Sequence, residues 1–204
     1  NPLADIDPET FFNFQEERPM VRINEGEREI VWPTNSIWGA KCPNENHDLV
    51  LLSGVEPHLR WRTFADSLLE IARSTSAEMV ITLGAMAGMA PHTRPLGVVG
   101  SAADSGTADR LGLGRPTYEG PTGLVGALHD ELDKAGVPVI SLRVSVPHYV
   151  PNPPNPEATR SLLSRLELVT GVQTFHGELD EAANDWRKQI DLAVSNDQEM
   201  ASYV

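Results

Sequence analysis

Short unbroken apolar runs alternate along this chain with apolar stripes at helical spacing, and this alternation limits the fold more than any composition figure. Asp48 to Gly54 (DLVLLSG), Met79 to Ala85 (MVITLGA), Leu96 to Ala102 (LGVVGSA) and Pro138 to Val144 (PVISLRV) have the form of strands in a sheet covered on both faces. Arg28 to Pro33 (REIVWP) adds an earlier strand, and Asn44 to Asp48 supplies the turn before the second. Between strands, Trp61, Phe64, Ala65, Leu68 and Ala72 form one helical stripe, which stops in Ser74-Thr75-Ser76. Leu124, Leu128, Leu132 and Ala135 form another, closed by Gly136 as a C-cap. The pattern predicts an α/β fold, a mostly parallel sheet sandwiched by helices.

The two ends differ from this middle. Residues 1–27 are polar and broken by Asp7-Pro8 and Arg18-Pro19, with Phe11, Phe12 and Phe14 as apolar anchors, which predicts a loop with one short helix. Asn155-Pro156-Glu157 has the order of N-cap, first helical residue and dipole-favoured acid. Leu162, Leu163, Leu166 and Val169, then Leu179, Ala182, Ala183, Trp186, Ile190 and Val194, predict a C-terminal helical hairpin over residues 156–200, against the sheet or a neighbouring subunit. Pro147 to Pro156 holds five prolines and reads as a stiff, extended connector. At 204 residues, with 40% apolar side chains, the chain is expected to form a single domain over 1–204, residues 1–27 and 156–204 belonging to it. It begins at Asn1 without methionine, which reads as a start lacking its first residues.

Charge and cysteine usage narrow the function. A formal net charge of -13 and the lack of any Lys/Arg run argue against nucleic-acid or anionic-membrane binding. The longest weakly polar stretch, Met79 to Ala90, is well under the roughly 20 residues that span a bilayer. The single Cys42 excludes an internal disulfide framework and a paired-cysteine zinc site, which favours the cytoplasm. The six histidines show no His-x-His or His-x-x-x-His spacing, and there is no Gly-x-Ser-x-Gly elbow, so neither a metal site nor a serine hydrolase is expected. No cofactor and no catalytic residue are assigned.

Polar residues gather where strands end. Pro91-His92-Thr93-Arg94-Pro95 follows one strand and Pro147-His148-Tyr149 another, while Gly54-Val55-Glu56-Pro57 ends a third and leads into the helix carrying Trp61. Tyr118-Glu119-Gly120-Pro121-Thr122-Gly123 runs straight into a helix. In an open α/β sheet such strand ends form the binding rim, so Glu56, His92, Thr93, Arg94, Tyr118, Glu119, Gly120, Thr122, Gly123, His148 and Tyr149 are the candidate ligand- or partner-binding residues.

Each has two readings. The Tyr118–Gly123 turn is either an anion cradle at a helix N-terminus or a capped helix with Thr122 near its start and glycines permitting close packing. Pro91 and Pro95 either aim His92, Thr93 and Arg94 at a ligand, or His92 caps a strand-end carbonyl while Arg94 pairs with Glu56 or Glu119. His148 beside Tyr149 is either a general base or packing. Glu56 and Glu119 are either an acid/base pair or helix-dipole partners.

Taken together and in this order, Gly54-Val55-Glu56-Pro57 with Trp61, Leu83-Gly84-Ala85, Pro91-His92-Thr93-Arg94-Pro95, Tyr118-Glu119-Gly120-Pro121-Thr122-Gly123 and Val146-Pro147-His148-Tyr149-Val150 resemble the proteasome assembly chaperone 2 family. The resemblance runs from about Asp7 to the end and is strongest to the actinobacterial branch. It implies a phosphorylase/hydrolase-like α/β sandwich, self-association into a homo-oligomer, and proteasome subunits as partners. Family chaperones act through a mobile C-terminal tail, whereas this sequence stops at Ser202-Tyr203-Val204. The expectation is a chaperone-like, non-enzymatic protein. The alternative is an enzyme or sensor that takes a nucleoside-like or small anionic ligand at the rim.

Overall fold

The computed structural model describes residues 1–42, 46–150, 152–197 and 201. They form a mixed α/β structure that divides into two compact units, Asn1–Val80 with Glu119–Pro138, and Ile81–Tyr118 with Val139–Val204.

The first unit begins with β1 (Pro2–Ile6) and α1 (Pro8–Phe11). Asp7 caps α1 by accepting the Glu9 N–H at 3.0 Å, and Pro8 opens the helix where its missing N–H costs nothing. β2 (Met20–Asn24) and β3 (Glu27–Val31) form an antiparallel hairpin. Its two-residue turn, Glu25-Gly26, has φ of 50° and 89°, the left-handed pair that suits the twist of the flanking strands. β4 (Asn35–Ala40) lies between β1 and β5 (Leu49–Gly54), antiparallel to both. α2 (Trp61–Ser74) and α4 (Leu124–Lys134) pack on each other, and Ile6, Phe11, Phe12, Ile37, Phe64 and Leu124 close the core. Phe11 meets Phe64 edge to face at 5.3 Å.

The second unit holds a three-stranded sheet in the order β6 (Val80–Gly88), β8 (Val139–Pro147), β7 (Val98–Ala102). β7 runs antiparallel to β8. β6 runs parallel to it: the Thr82 hydroxyl reaches Ile140 O early in both strands, and His148 N–H reaches Gly88 O at both ends. α3 (Ser105–Leu111) packs on β7, and α5 (Pro156–Thr170) lays Ala158 and Leu162 on Val144 and Val146 of β8. α6 (Glu178–Ser195) folds back on α5 as the expected hairpin. Asn155 caps α5 through the Ala158 N–H at 2.9 Å, and Gly171 ends it at φ 74°.

The fully buried Glu157 pins this hairpin, receiving Arg160 at 3.0 Å and Arg187 of α6 at 2.7 Å. Burial pushes its carboxyl upward, but the hydrogen bonds from the two guanidinium groups outweigh that and hold it below the usual carboxylate range. The sequence reading of Glu157 as a dipole-favoured acid covers only part of its role.

Three expectations are corrected. The sheet is not mostly parallel: β1-β4-β5, the β2-β3 hairpin and β7-β8 are antiparallel, and the β6-β8 pair is parallel. The link from β4 to β5 contains no helix among its described residues, and a chain returning without a crossover pairs antiparallel. Residues 1–27 carry β1 and β2 besides the short helix, since pairing with β4 and β3 supplies the order their polar sequences do not advertise. β5 is an edge strand of its sheet and not a core strand, with Leu51 49% exposed. Part of the Asn44–Asp48 turn, Pro151 of the connector, most of the end of the predicted hairpin and the Ser202–Val204 terminus lie outside the described residues.

Candidate functional site

In the second unit, the loop after β6 and the residues after β8 meet around one imidazole. His92 is 1% exposed, and its backbone N–H and both ring nitrogens have partners. Its backbone N–H donates to the Tyr149 hydroxyl at 2.9 Å, and its Nδ1 lies 2.7 Å from the same oxygen. Its Nε2 lies 2.9 Å from Oδ1 of Asp191 on α6. A carboxylate only accepts, so Nε2 carries the proton, and Nδ1 then accepts from the tyrosine hydroxyl. The result is a directed chain, Tyr149 O–H to His92 to Asp191, that ties the strand-end loops to the last helix. His148 packs edge-on against Tyr149 at 5.4 Å, with its Nδ1 donating to Gly88 O at 3.4 Å.

Beside the buried histidine the same loop turns outward. The Arg94 N–H closes a turn on Pro91 O at 3.2 Å, and Thr93 and Arg94 are exposed. Among the described residues Arg94 enters no ion pair. Tyr118, also of this unit, is 73% exposed.

In the first unit the rim residues have a different setting. Glu56 Oε1 accepts the Leu124 N–H at 3.3 Å, so it caps α4, a helix 68 residues further along the chain. The helix dipole favours that charge, which is the structural one of the two readings, although for a helix distant in sequence. Thr122 sits over Gly126: a Cβ at 126 would lie 1.8 Å from the Thr122 hydroxyl. Gly120 has φ 148°, a conformation that side chains resist, so the turn before α4 requires glycine there. Glu119, Gly120, Thr122 and Gly123 are exposed.

Gly54, the first residue of the Gly54-Val55-Glu56-Pro57 motif, has a packing role. A Cβ there would fall 2.2 Å from Asn35 Oδ1 and 2.4 Å from the Thr34 carbonyl, so β4 and β5 approach only across a bare α-carbon. Trp61 returns to the motif by donating its indole N–H to Pro57 O at 2.6 Å.

Next to this motif lies an open groove of about 420 Å³, lined by Asn13, Glu16, Glu56, His58, Leu59 and Trp61 among others. Asn13 donates its backbone N–H to His58 Nδ1 at 3.3 Å, which leaves the His58 Nε2–H facing Glu16 Oε2 at 3.7 Å. Among the described residues no three His, Cys, Asp or Glu side chains stand close enough to hold a metal ion, and no helix is long and apolar enough to cross a membrane.

The structure therefore joins His92, His148 and Tyr149 in one unit and Glu56 with the Gly123–Leu124 helix start in the other. Sequence reasoning missed Asp191, which lies 99 residues from His92 on the polar side of α6 with no motif around it. It also missed His58 and Glu16: the His58 N–H is held by Phe11 O at 3.0 Å and the Glu16 N–H by Asn13 O at 2.9 Å, contacts that no local motif marks.

Comparison with known proteins places this arrangement. The PAC2 family matches residues 1–194. A PAC2 family protein from Streptomyces avermitilis is 43% identical with a TM-score of 0.90, covering 100% of this chain and 86% of its own. A proteasome-assembly chaperone homologue from Mycobacterium tuberculosis is 39% identical with a TM-score of 0.89, over 99% of this chain and 86% of its own. An archaeal proteasome activator from Pyrococcus furiosus shares the fold, at 16% identity and a TM-score of 0.71, over 95% of this chain and 82% of its own. No curated protein matches the chain. The chain belongs to the PAC2 family.

Proposed function

We propose that this protein is a chaperone of proteasome-assembly type, a homo-oligomer in the cytoplasm that binds proteasome subunits or their precursors through its rim without turning over a substrate there. The observation that carries this reading is the near whole-chain similarity, at 39% identity, to a proteasome-assembly chaperone homologue. The chemistry of the rim supports it. Glu56 serves as a helix cap and His92 as a buried tie between Tyr149 and Asp191, so these side chains hold loops in place. The residues beside them, Thr93, Arg94 and Tyr118 in one unit and Glu119, Gly120 and Thr122 in the other, present polar groups outward for a partner. Loops displayed by a rigid scaffold are a common way to build a binding surface.

The test is co-expression of the tagged protein with proteasome α and β subunits, followed by native gel electrophoresis. The proposal predicts a complex containing α subunits or unprocessed precursors, weakened by Arg94→Ala. A folded, tagged protein that enriches none of them sinks the assignment.

A further inference from the structure

A second constellation lies on the α5–α6 hairpin. The Ser164 hydroxyl, in the middle of α5, is 3.0 Å from His176 Nε2. His176 Nδ1 is 2.8 Å from the Thr174 hydroxyl and 3.4 Å from Glu167 Oε1. Thr174 in turn donates its hydroxyl to Glu167 Oε1 at 2.9 Å and its backbone N–H to the same oxygen at 2.6 Å.

The proton positions follow from what each group can do. The carboxylate accepts, so the single Thr174 hydroxyl proton goes to Glu167, and the Thr174 oxygen accepts from His176 Nδ1–H. Nε2 is then left as the acceptor for the Ser164 proton. Two hydrogen bonds from Thr174 hold the Glu167 carboxyl below the usual range, so it stays anionic at the end of this chain. Phe175, at φ 51°, sets the backbone direction that turns His176 back onto α5. A hydroxyl in hydrogen-bond reach of a base that is itself oriented by a third group is the arrangement of an activated nucleophile.

Ser164 also faces a place for a substrate. It lines an open groove of about 320 Å³ with Ser161 and Arg165, walled by Leu96, Val98 and Leu168. Arg165 lines the groove beside Ser164, and its Nε is buried with no hydrogen-bond partner among the described residues. Arg160, which also borders the groove, is committed to Glu157 and Asp180 and offers no such vacancy. The α5 helix leaves no free backbone N–H at Ser164, so Arg165 is the donor on hand for a developing oxyanion.

We propose that Ser164 is the nucleophile of an esterase site for short-chain carboxylic esters, with His176 as general base, Thr174 and Glu167 as positioning residues, and Arg165 as oxyanion donor. Ser164 Oγ bonds to the ester carbonyl carbon as its proton passes to His176 Nε2. The carbon–alkoxide bond breaks, and the alcohol leaves with that proton. Water then attacks the acyl-Ser164 ester, His176 takes its proton and returns it to Oγ, and the carboxylic acid is released. The apolar wall suits a small acyl chain, and the serine needs no strand-to-helix elbow because its base arrives from the α5–α6 loop.

The experiment uses the full chain with a fluorophosphonate probe, peptide mapping, and hydrolysis of p-nitrophenyl acetate and butyrate. The expected result is probe addition at Ser164 and a hydrolysis rate that falls to background in Ser164→Ala. His176→Gln and Arg165→Met should each lower kcat by about 100-fold with KM little changed. Thr174→Val should lower kcat while leaving the native circular dichroism spectrum intact. Should His176→Gln fail to fold, Ser164→Cys replaces it as the test, since an adjacent base predicts alkylation by iodoacetamide faster than that of Cys42 in the same molecule. An unlabelled wild-type protein, hydrolysis retained in Ser164→Ala, or labelling of Ser164 that is unchanged in a folded His176→Gln each overturns the proposal. Loss of this activity leaves proteasome-subunit binding untouched, so the two readings fail independently.

Discussion

Replacing Tyr149 by Phe removes one oxygen and leaves two buried groups of His92 without a partner. The backbone N–H loses its acceptor at 2.9 Å, and Nδ1 loses its neighbour at 2.7 Å. His92 is almost wholly buried, so water does not readily replace either contact. An orphaned buried polar group costs about 1–3 kcal/mol, and two of them place the loss near 3 kcal/mol once some relaxation is allowed. At roughly 2–4 °C per kcal/mol for a chain of this length, the melting temperature should fall by about 6–12 °C. Urea unfolding followed by circular dichroism measures the first quantity and a thermal scan the second.

Hydrogen exchange adds a local readout. Amides around His92 should lose protection while those of the β4–β5 sheet keep theirs, because the tie lies within the second unit. Asp191→Asn is the companion change. It keeps an acceptor oxygen for Nε2–H but loses the charge, and as Asp191 is 62% exposed the cost should stay near or below 1 kcal/mol. A Tyr149→Phe variant that unfolds within 0.5 kcal/mol of the parent, or that costs no more than Asp191→Asn, refutes the reasoning.

Further outcomes follow from other parts of the structure. Gly54→Ala should destabilise the first unit by several kcal/mol, or prevent its folding, because the new methyl meets Asn35 and the Thr34 backbone; soluble yield and the urea midpoint check this. Glu157→Gln should loosen the α5–α6 hairpin by about 3 kcal/mol, as two guanidinium groups that are some 30% exposed lose their buried partner but rehydrate in part; denaturant unfolding reads it. Because the folded-state carboxyl of Glu157 lies below its ordinary 4.5, its contribution is fully present above that pH and is lost as pH falls through the lower folded value. The acid side of the stability profile should therefore flatten in Glu157→Gln. Arg94→Ala should change stability by less than about 0.5 kcal/mol, an exposed change with no ion pair to lose among the described residues, while weakening partner capture.

The parts legible in the sequence are those whose signal is contiguous. The apolar runs mark β5, β6 and β8 to within a few residues, except where β6 and β8 extend further, and the stripes mark α2, α4, α5 and α6. β4 escaped because its six residues, Asn-Ser-Ile-Trp-Gly-Ala, begin polar and contain a glycine. α3 escaped because Gly106 interrupts a seven-residue helix with no apolar stripe. Strand direction was not legible either, since alternating strands and helices fix the elements but not which neighbours pair. The rim motifs stood out as clusters of Pro, Gly and His, yet the partners that give them meaning are distant. Asp191 for His92 and the Leu124 N–H for Glu56 are 99 and 68 residues away, and no local pattern encodes such contacts. The Ser164–His176 pair was hidden for a similar reason, because neither residue sits in a recognised motif and the loop geometry alone unites them.

The most direct test of the central claim is native mass measurement of the complex captured by the tagged protein when proteasome α and β subunits are co-expressed with it. The account predicts an assembly intermediate containing α subunits together with more than one copy of this chain, and its loss in Arg94→Ala. A folded protein that elutes free of every proteasome subunit at micromolar concentration contradicts it.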